Sequence, residues 1–144
     1  MIMTDKGNLQ HRELSGEILG SFFTVYNALG YGFLEQVYVN ALSLELRNRW
    51  MKVAREVPFE VQFEGQPVGT YRVDIVVNGL VVVEVKAGSA LVDADRKQLF
   101  NYLRASKLDV GLLLHFGPKP EFKRLTVAAD PAASAASAVS VSSV

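Results

Sequence analysis

The chain has 144 residues, enough for one domain with a single hydrophobic core, and its 15 Lys and Arg residues balance its 15 Asp and Glu residues. The net charge of zero excludes a protein that binds polyanions through its overall charge, so any nucleic-acid role must come from the local placement of charge. The absence of cysteine excludes disulfides, zinc-thiolate sites, iron-sulfur clusters and thiol nucleophiles.

Both ends of the chain differ in composition from its middle. Residues 128–144 are mainly Ala, Ser and Val with almost no charge, which predicts a disordered tail. Residues 1–12 are largely polar and predict a flexible N-terminus, which leaves residues 13–127 as the folded domain. Because no apolar run is long enough for a membrane span or typical of a signal peptide, we expect a cytoplasmic protein.

Two amphipathic helices are predicted first. Apolar residues recur every three or four positions from Leu14 to Leu29, and Gly30-Tyr31-Gly32 ends this pattern. The same spacing returns from Leu34 and closes near Trp50.

The period then changes to two, which is typical of strands. Val57–Phe63 alternates apolar and polar residues, and Pro58 favours an edge position or a bulge. Two β-branched runs, Tyr71–Val77 and Leu80–Lys86, flank Asn78-Gly79, a strong signal for a hairpin turn.

A third helix and two further strands complete the predicted domain. The helix is expected over Asp93–Ala105, followed by a buried strand over Val110–Phe116 and a last strand over Glu121–Val127. A strand, helix, strand passage requires a right-handed crossover and a parallel strand pair. The fold class is therefore α/β, with a mixed β-sheet flanked by helices.

Charged residues on the otherwise apolar hairpin strands are the first candidates for a site. Glu84 and Lys86 are two apart on one strand, so they share a face, and Asp74 lies on the strand before it. Buried charges are costly unless they pair or bind something, and carboxylates are ligands that Mg²⁺ prefers. The alternative, a solvated Glu-Lys pair, is disfavoured because the rest of Leu80–Val85 is apolar.

The turn provides a structural test of this site. A two-residue turn at Asn78-Gly79 would place Asp74 and Glu84 on opposite faces of the sheet. A three-residue loop that includes Leu80, with Asn78 or Gly79 at positive φ, would set Asp74 directly across from Glu84. The site hypothesis therefore predicts this longer loop or an equivalent bulge.

Three motifs resemble known families. Asp74 with Glu84-Val85-Lys86 resembles the signature of PD-(D/E)XK nucleases, although Val73 stands where the signature has proline. Gln98 and Tyr102 resemble the Gln-x-x-x-Tyr motif of the RecB-like branch of that superfamily. Upstream, Gly32-x-x-Glu35-x-x-Tyr38 resembles the motif that names the GxxExxY family, a group in the same superfamily.

The resemblance implies a restriction-endonuclease-like fold and a Mg²⁺- or Mn²⁺-dependent nuclease that hydrolyses phosphodiester bonds in nucleic acid, with DNA favoured. Asp74, Glu84, Glu35 and the Val85 carbonyl would bind the metal, and Lys86 would position or activate the attacking water.

The resemblance also implies roles for the remaining motif residues, beside simpler readings of each. Gln98 would hold Lys86 or the substrate backbone, and Tyr38 and Tyr102 would contact substrate. In the simpler readings, both tyrosines are core aromatics, Gln98 is an exposed helix residue, and Glu35 is an acid favoured by the helix dipole.

Two alternatives concern the whole protein. The same fold could serve as a non-catalytic module that binds nucleic acid or a protein partner. A domain of this size covers few base pairs, which favours a homodimer or a partner subunit.

Overall fold

The computed structural model describes the backbone of residues 2–127 and the side chains of residues 11–127. Its three helices and five strands are α1 (Ile2–Leu29), α2 (Glu35–Asn48), β1 (Val53–Phe63), β2 (Gln66–Val77), β3 (Val81–Ala87), α3 (Asp93–Ser106), β4 (Val110–Phe116) and β5 (Pro120–Thr126). This order of helices and strands is the predicted one. The predicted disordered tail, residues 128–144, lies outside the described residues.

The five strands form one sheet in the order β1-β2-β3-β4-β5. β3 and β4 are parallel, and the other neighbouring strands are antiparallel, which confirms the mixed sheet. Pro58 lies on β1 at the edge of the sheet, and the pairing of β1 with β2 is shifted between Val61 and Gln62. Pro58 lies outside that shift, and the edge position of β1 is what tolerates the missing backbone donor of proline.

Helices cover both faces of the sheet. On one face, α1 and α2 pack against the sheet through Phe22, Leu42 and Leu46. On the other face, α3 packs through Leu99 and Leu103. Every residue of β4 is buried because this strand is covered on both sides. Within residues 2–127, no helix is long and apolar enough to cross a membrane.

The turn between β2 and β3 has the predicted three-residue loop. Val77 pairs with Val81, and Asn78 and Gly79 have φ values of 54° and 67°. Backbone pairing continues to Ile75 and Val83 and then stops. The next residues in this register are Asp74 and Glu84, so the loop places the two acids opposite each other.

Two boundaries differ from the predicted ones. The hairpin of β1 and β2 is longer than the alternating pattern indicated, since residues 60–70 are exposed and are held by backbone pairing rather than by burial. Helix α1 begins at Ile2, well before the apolar stripe at Leu14. The flexibility of residues 1–12 stays a prediction.

Candidate active site

The carboxylates of Asp74 and Glu84 are bonded to each other's strands. The Asp74 N–H donates to Glu84 Oε1 at 2.8 Å, and the Val85 N–H donates to Asp74 Oδ2 at 2.8 Å. Side chains therefore take over where the backbone pairing of β2 and β3 ends. This arrangement fixes both acids and leaves Asp74 Oδ1 without a hydrogen bond among residues 11–127.

Glu84 is the more deeply buried of the two acids, with 3% of the residue exposed. Its Oε2 accepts a hydrogen bond of 3.1 Å from the Tyr71 hydroxyl. Burial, together with the nearby Asp74 carboxylate, raises the pKa of Glu84 to about 7. Burial, and to a smaller extent the charge of Glu35, also raises the pKa of Asp74. The site therefore concentrates negative charge that a cation would relieve.

Glu35 reaches this region from the other helical layer. It is the first residue of α2, and its Oε2 accepts a hydrogen bond of 3.2 Å from the Ala87 N–H at the end of β3. The helix dipole favours an acid at this position, as the simpler reading holds. The helix dipole does not explain the hydrogen bond to Ala87. This bond brings a third carboxylate to the end of β3 where Asp74 and Glu84 lie.

Lys86 has an acidic partner on α3. Its Nζ lies 3.9 Å from Asp95 Oδ1, while Asp95 Oδ2 accepts a 3.2 Å hydrogen bond from the Val92 N–H. Asp95 thus joins the first turn of α3 to Lys86. The positive charge of Lys86 partly opposes the increase in the pKa of Asp74 and Glu84, which places the ammonium within electrostatic reach of both carboxylates.

Gln98 and Tyr102 lie on α3 beside the acids. The exposed Gln98 lies one helical turn before Tyr102, whose ring stacks on Tyr71 with 3.3 Å between ring centroids. A chain of contacts therefore runs from Tyr102 through Tyr71 to Glu84. In the described structure the side-chain partner of Lys86 is Asp95, whereas Gln98 was predicted to hold Lys86 or substrate.

Tyr38 does not contact the site. It is fully buried and stacks on Phe116, with ring centroids 4.2 Å apart. Its hydroxyl donates to the Gly30 carbonyl at 2.6 Å and accepts from the Phe33 N–H at 3.1 Å. Direct substrate binding by Tyr38 is therefore wrong for this conformation, since burial closes its access to solvent. The residue instead fixes the loop that leads into Glu35.

The acids suit a divalent metal by their chemistry rather than by a closed geometry. Within the described part of the chain, no three His, Asp or Glu side chains are close enough to hold an ion together. Among residues 11–127, no hydrogen bond occupies Asp74 Oδ1 or Glu35 Oε1. Mg²⁺ commonly uses one or two carboxylates together with water, so these oxygen donors fit it.

Sequence reasoning missed three residues of this region. Tyr71 and Asp95 contact the predicted site directly, and Glu56 on β1 lies between residues that pair with Val73 and Ile75, opposite Asp74. The charge of Glu56 contributes to the raised pKa of Asp74. The helix dipole favours an acid in the first turn of α3, so the position of Asp95 gives no separate signal of a site role, and nothing in the local sequence distinguishes Glu56.

Comparisons with known proteins agree with this architecture. A sequence model of the PD-(D/E)XK nuclease superfamily matches residues 12–125, a span that contains every candidate site residue. No curated protein matches the chain. The crystal structure of SSO0001 is similar in fold, with a TM-score of 0.55 and 18% sequence identity. The alignment covers 74% of this chain and 56% of that chain, so the present chain spans little more than half of SSO0001.

Proposed function

Because the chain belongs to the PD-(D/E)XK nuclease superfamily and has its restriction-endonuclease-like fold, we propose that it is a Mg²⁺- or Mn²⁺-dependent nuclease. Its substrate is nucleic acid, with DNA as the favoured form, and its place of action is the cytoplasm. The observation that carries the proposal is the bonded pair of Asp74 and Glu84, two acids with raised pKa values where β2 and β3 separate. The motif of Gly32, Glu35 and Tyr38 supports assignment to the GxxExxY group.

Asp74, Glu84, Glu35 and the Val85 carbonyl would hold the metal, and the three carboxylates would have to move closer together to share one ion. The N–H and C=O of one strand residue point to the same side, so the Val85 carbonyl faces β2, as its N–H does. When bound, the metal would neutralise phosphate charge and lower the pKa of a bound water.

Lys86 would orient or activate the attacking water. Its ammonium lies 3.9 Å from Asp95 Oδ1, and its charge acts on both Asp74 and Glu84. Gln98 and Tyr102 line an open groove next to the acids and would contact the substrate there. A second copy or a partner subunit would extend this small surface, and light scattering of the purified protein, alone and with oligonucleotide, tests that.

The test is cleavage of labelled single- and double-stranded DNA and RNA with Mg²⁺, Mn²⁺ or EDTA. We expect metal-dependent cleavage that Asp74→Asn and Lys86→Met abolish while circular dichroism stays unchanged. Asn retains an oxygen acceptor for the Val85 N–H, so Asp74→Asn removes the charge without breaking this bond. Lys52→Met removes an exposed lysine beside the β2–β3 turn and serves as the matched control.

Two results would contradict the proposal. Cleavage that survives both substitutions and EDTA would show that neither these two residues nor a metal ion carries the activity. Binding of nucleic acid without cleavage under any metal condition would favour the non-catalytic module instead.

A further inference from the structure

We propose that the groove between β1 and α3 binds a single-stranded segment of nucleic acid that leads to the carboxylates. This inference rests on the proposed nuclease function and assigns the form of its substrate. The groove has a volume of about 870 Å³. One wall is formed by residues 60–62 of β1, and the other by α3 from Gln98 onward together with Lys107, which directly follows the helix.

The α3 wall carries the groups that a nucleic-acid strand requires. Arg104 and Lys107 are exposed, and neither forms an ion pair with another side chain of residues 11–127. Gln98 and Asn101 present carboxamides on the same wall. Cationic side chains contact phosphates, while carboxamides donate to and accept from base edges.

The β1 wall carries less charge. Glu60 is the single acid among the groove-lining residues, and its Oε1 accepts a 2.8 Å hydrogen bond from Gln62 Nε2. The lining therefore has two cations and one anion, in a chain whose overall net charge is zero. A local excess of positive charge is what a neutral protein needs to bind a polyanion.

Two aromatic side chains connect the groove to the acid pair. Tyr102 lines the groove and stacks on Tyr71, and the Tyr71 hydroxyl donates to Glu84. A strand that continues from the groove past Tyr102 and Tyr71 would therefore reach the residues proposed to hold the metal.

The size of the groove favours one strand rather than a duplex. A volume of 870 Å³ is typical of a pocket for one drug-sized ligand, so it admits a few nucleotides of a single strand. Base edges that contact Gln98 and Asn101 must also be unpaired or accessible, as they are in single strands.

The competing explanation for Arg104 and Lys107 is their position at the C-terminal end of α3, where cations stabilise the helix dipole. That explanation predicts an effect on stability and none on substrate affinity. Kinetics therefore separate the two explanations.

The test compares two charge-removing double variants on a labelled single-stranded oligonucleotide. For Arg104→Gln/Lys107→Gln we expect KM to rise about tenfold with kcat unchanged. Loss of two phosphate contacts should also reduce the slope of log affinity against log salt by about 1.4, at roughly 0.7 for each contact with a single strand. Arg47→Gln/Lys52→Gln removes the same charge near the end of α2 and should leave both quantities unchanged.

A third variant reverses the direction of the effect. Glu60→Gln removes the acid of the β1 wall, so KM should fall. A blunt duplex should respond less than the single strand to the Arg104→Gln/Lys107→Gln change.

The inference is overturned if the α3 variant keeps the KM and salt slope of the unmodified protein, if the control pair raises KM equally, or if duplex and single strand respond alike. The same comparison by fluorescence anisotropy, with Lys86→Met added to each protein, does not depend on cleavage. Failure of the nuclease proposal and failure of the groove proposal are therefore distinguishable.

Discussion

Replacing Glu84 by Gln should stabilise the protein at neutral and alkaline pH while abolishing its nuclease activity. Gln retains an oxygen that accepts the Asp74 N–H, but it carries no charge to be buried beside Asp74. The ionised Glu84 carboxylate is unfavourable in the folded state, which is why its pKa is raised. The substitution removes that cost.

The size of the effect follows from the pKa difference. The pKa of Glu84 rises from an ordinary value of 4.5 to about 7 on folding. Between these values the folded state binds more protons than the unfolded state, so the free energy of unfolding falls as pH rises. The total decrease is about 3 kcal/mol, complete above pH 7 and absent below pH 4.5.

Thermal unfolding of the metal-free protein measures this difference at several pH values. At pH 8 the Glu84→Gln variant should melt roughly 6–12 °C above the unmodified protein, and at pH 4 the two should melt together. Glu13→Gln, which removes an exposed charge on α1, should change the free energy of unfolding by less than about 0.5 kcal/mol at either pH. Parallel curves for Glu84→Gln and the unmodified protein from pH 4 to pH 8 would refute the reasoning.

Three further outcomes are expected. Asp95→Asn retains an oxygen for the Val92 N–H but loses the charge beside Lys86. The kcat should therefore fall about 10- to 100-fold, with KM and the melting temperature unchanged. An unchanged kcat would show that Asp95 has no role in catalysis. Mg²⁺ should raise the melting temperature more at pH 8 than at pH 5, because protonation of Glu84 competes with binding of the ion. Equal increases at both pH values would mean that the metal binds elsewhere. Tyr38→Phe should lower the free energy of unfolding, measured by chemical denaturation, by about 1–3 kcal/mol, because Gly30 and Phe33 lose their buried hydrogen-bond partner. The KM for substrate should stay the same, and a raised KM would indicate that Tyr38 contacts the substrate after all.

Local sequence patterns were enough to predict much of the fold. The β-branched runs around Asn78-Gly79 predicted the hairpin, and the requirement that Asp74 and Glu84 share a face predicted its three-residue loop. The parallel pairing of β3 and β4 followed from a helix lying between two strands. Such features depend on neighbouring residues, which a sequence shows directly.

Other features depend on groups that are far apart in the chain. The bond between Glu35 and Ala87 requires the start of α2 to meet the end of β3, and no spacing within either segment indicates it. The pairing of Lys86 with Asp95 depends on the conformation of the connection between β3 and α3. Tyr38 satisfied a helical spacing that fits a core position and a site position equally, and only its packing on Phe116 decides between them.

The hydrogen bonds between the two acids and the strand backbones affect which residues evolution can replace at these positions. Losing Asp74 or Glu84 to an apolar residue would leave a buried backbone N–H without a partner, at a cost of about 1–3 kcal/mol. Natural selection on folding alone would therefore retain an oxygen acceptor at both positions, as the acid or as its amide, in a descendant that no longer cuts nucleic acid. Lys86 closes no gap in the sheet, so among distant descendants of this chain its loss, rather than the appearance of an apolar residue at position 74 or 84, should mark those that have abandoned catalysis.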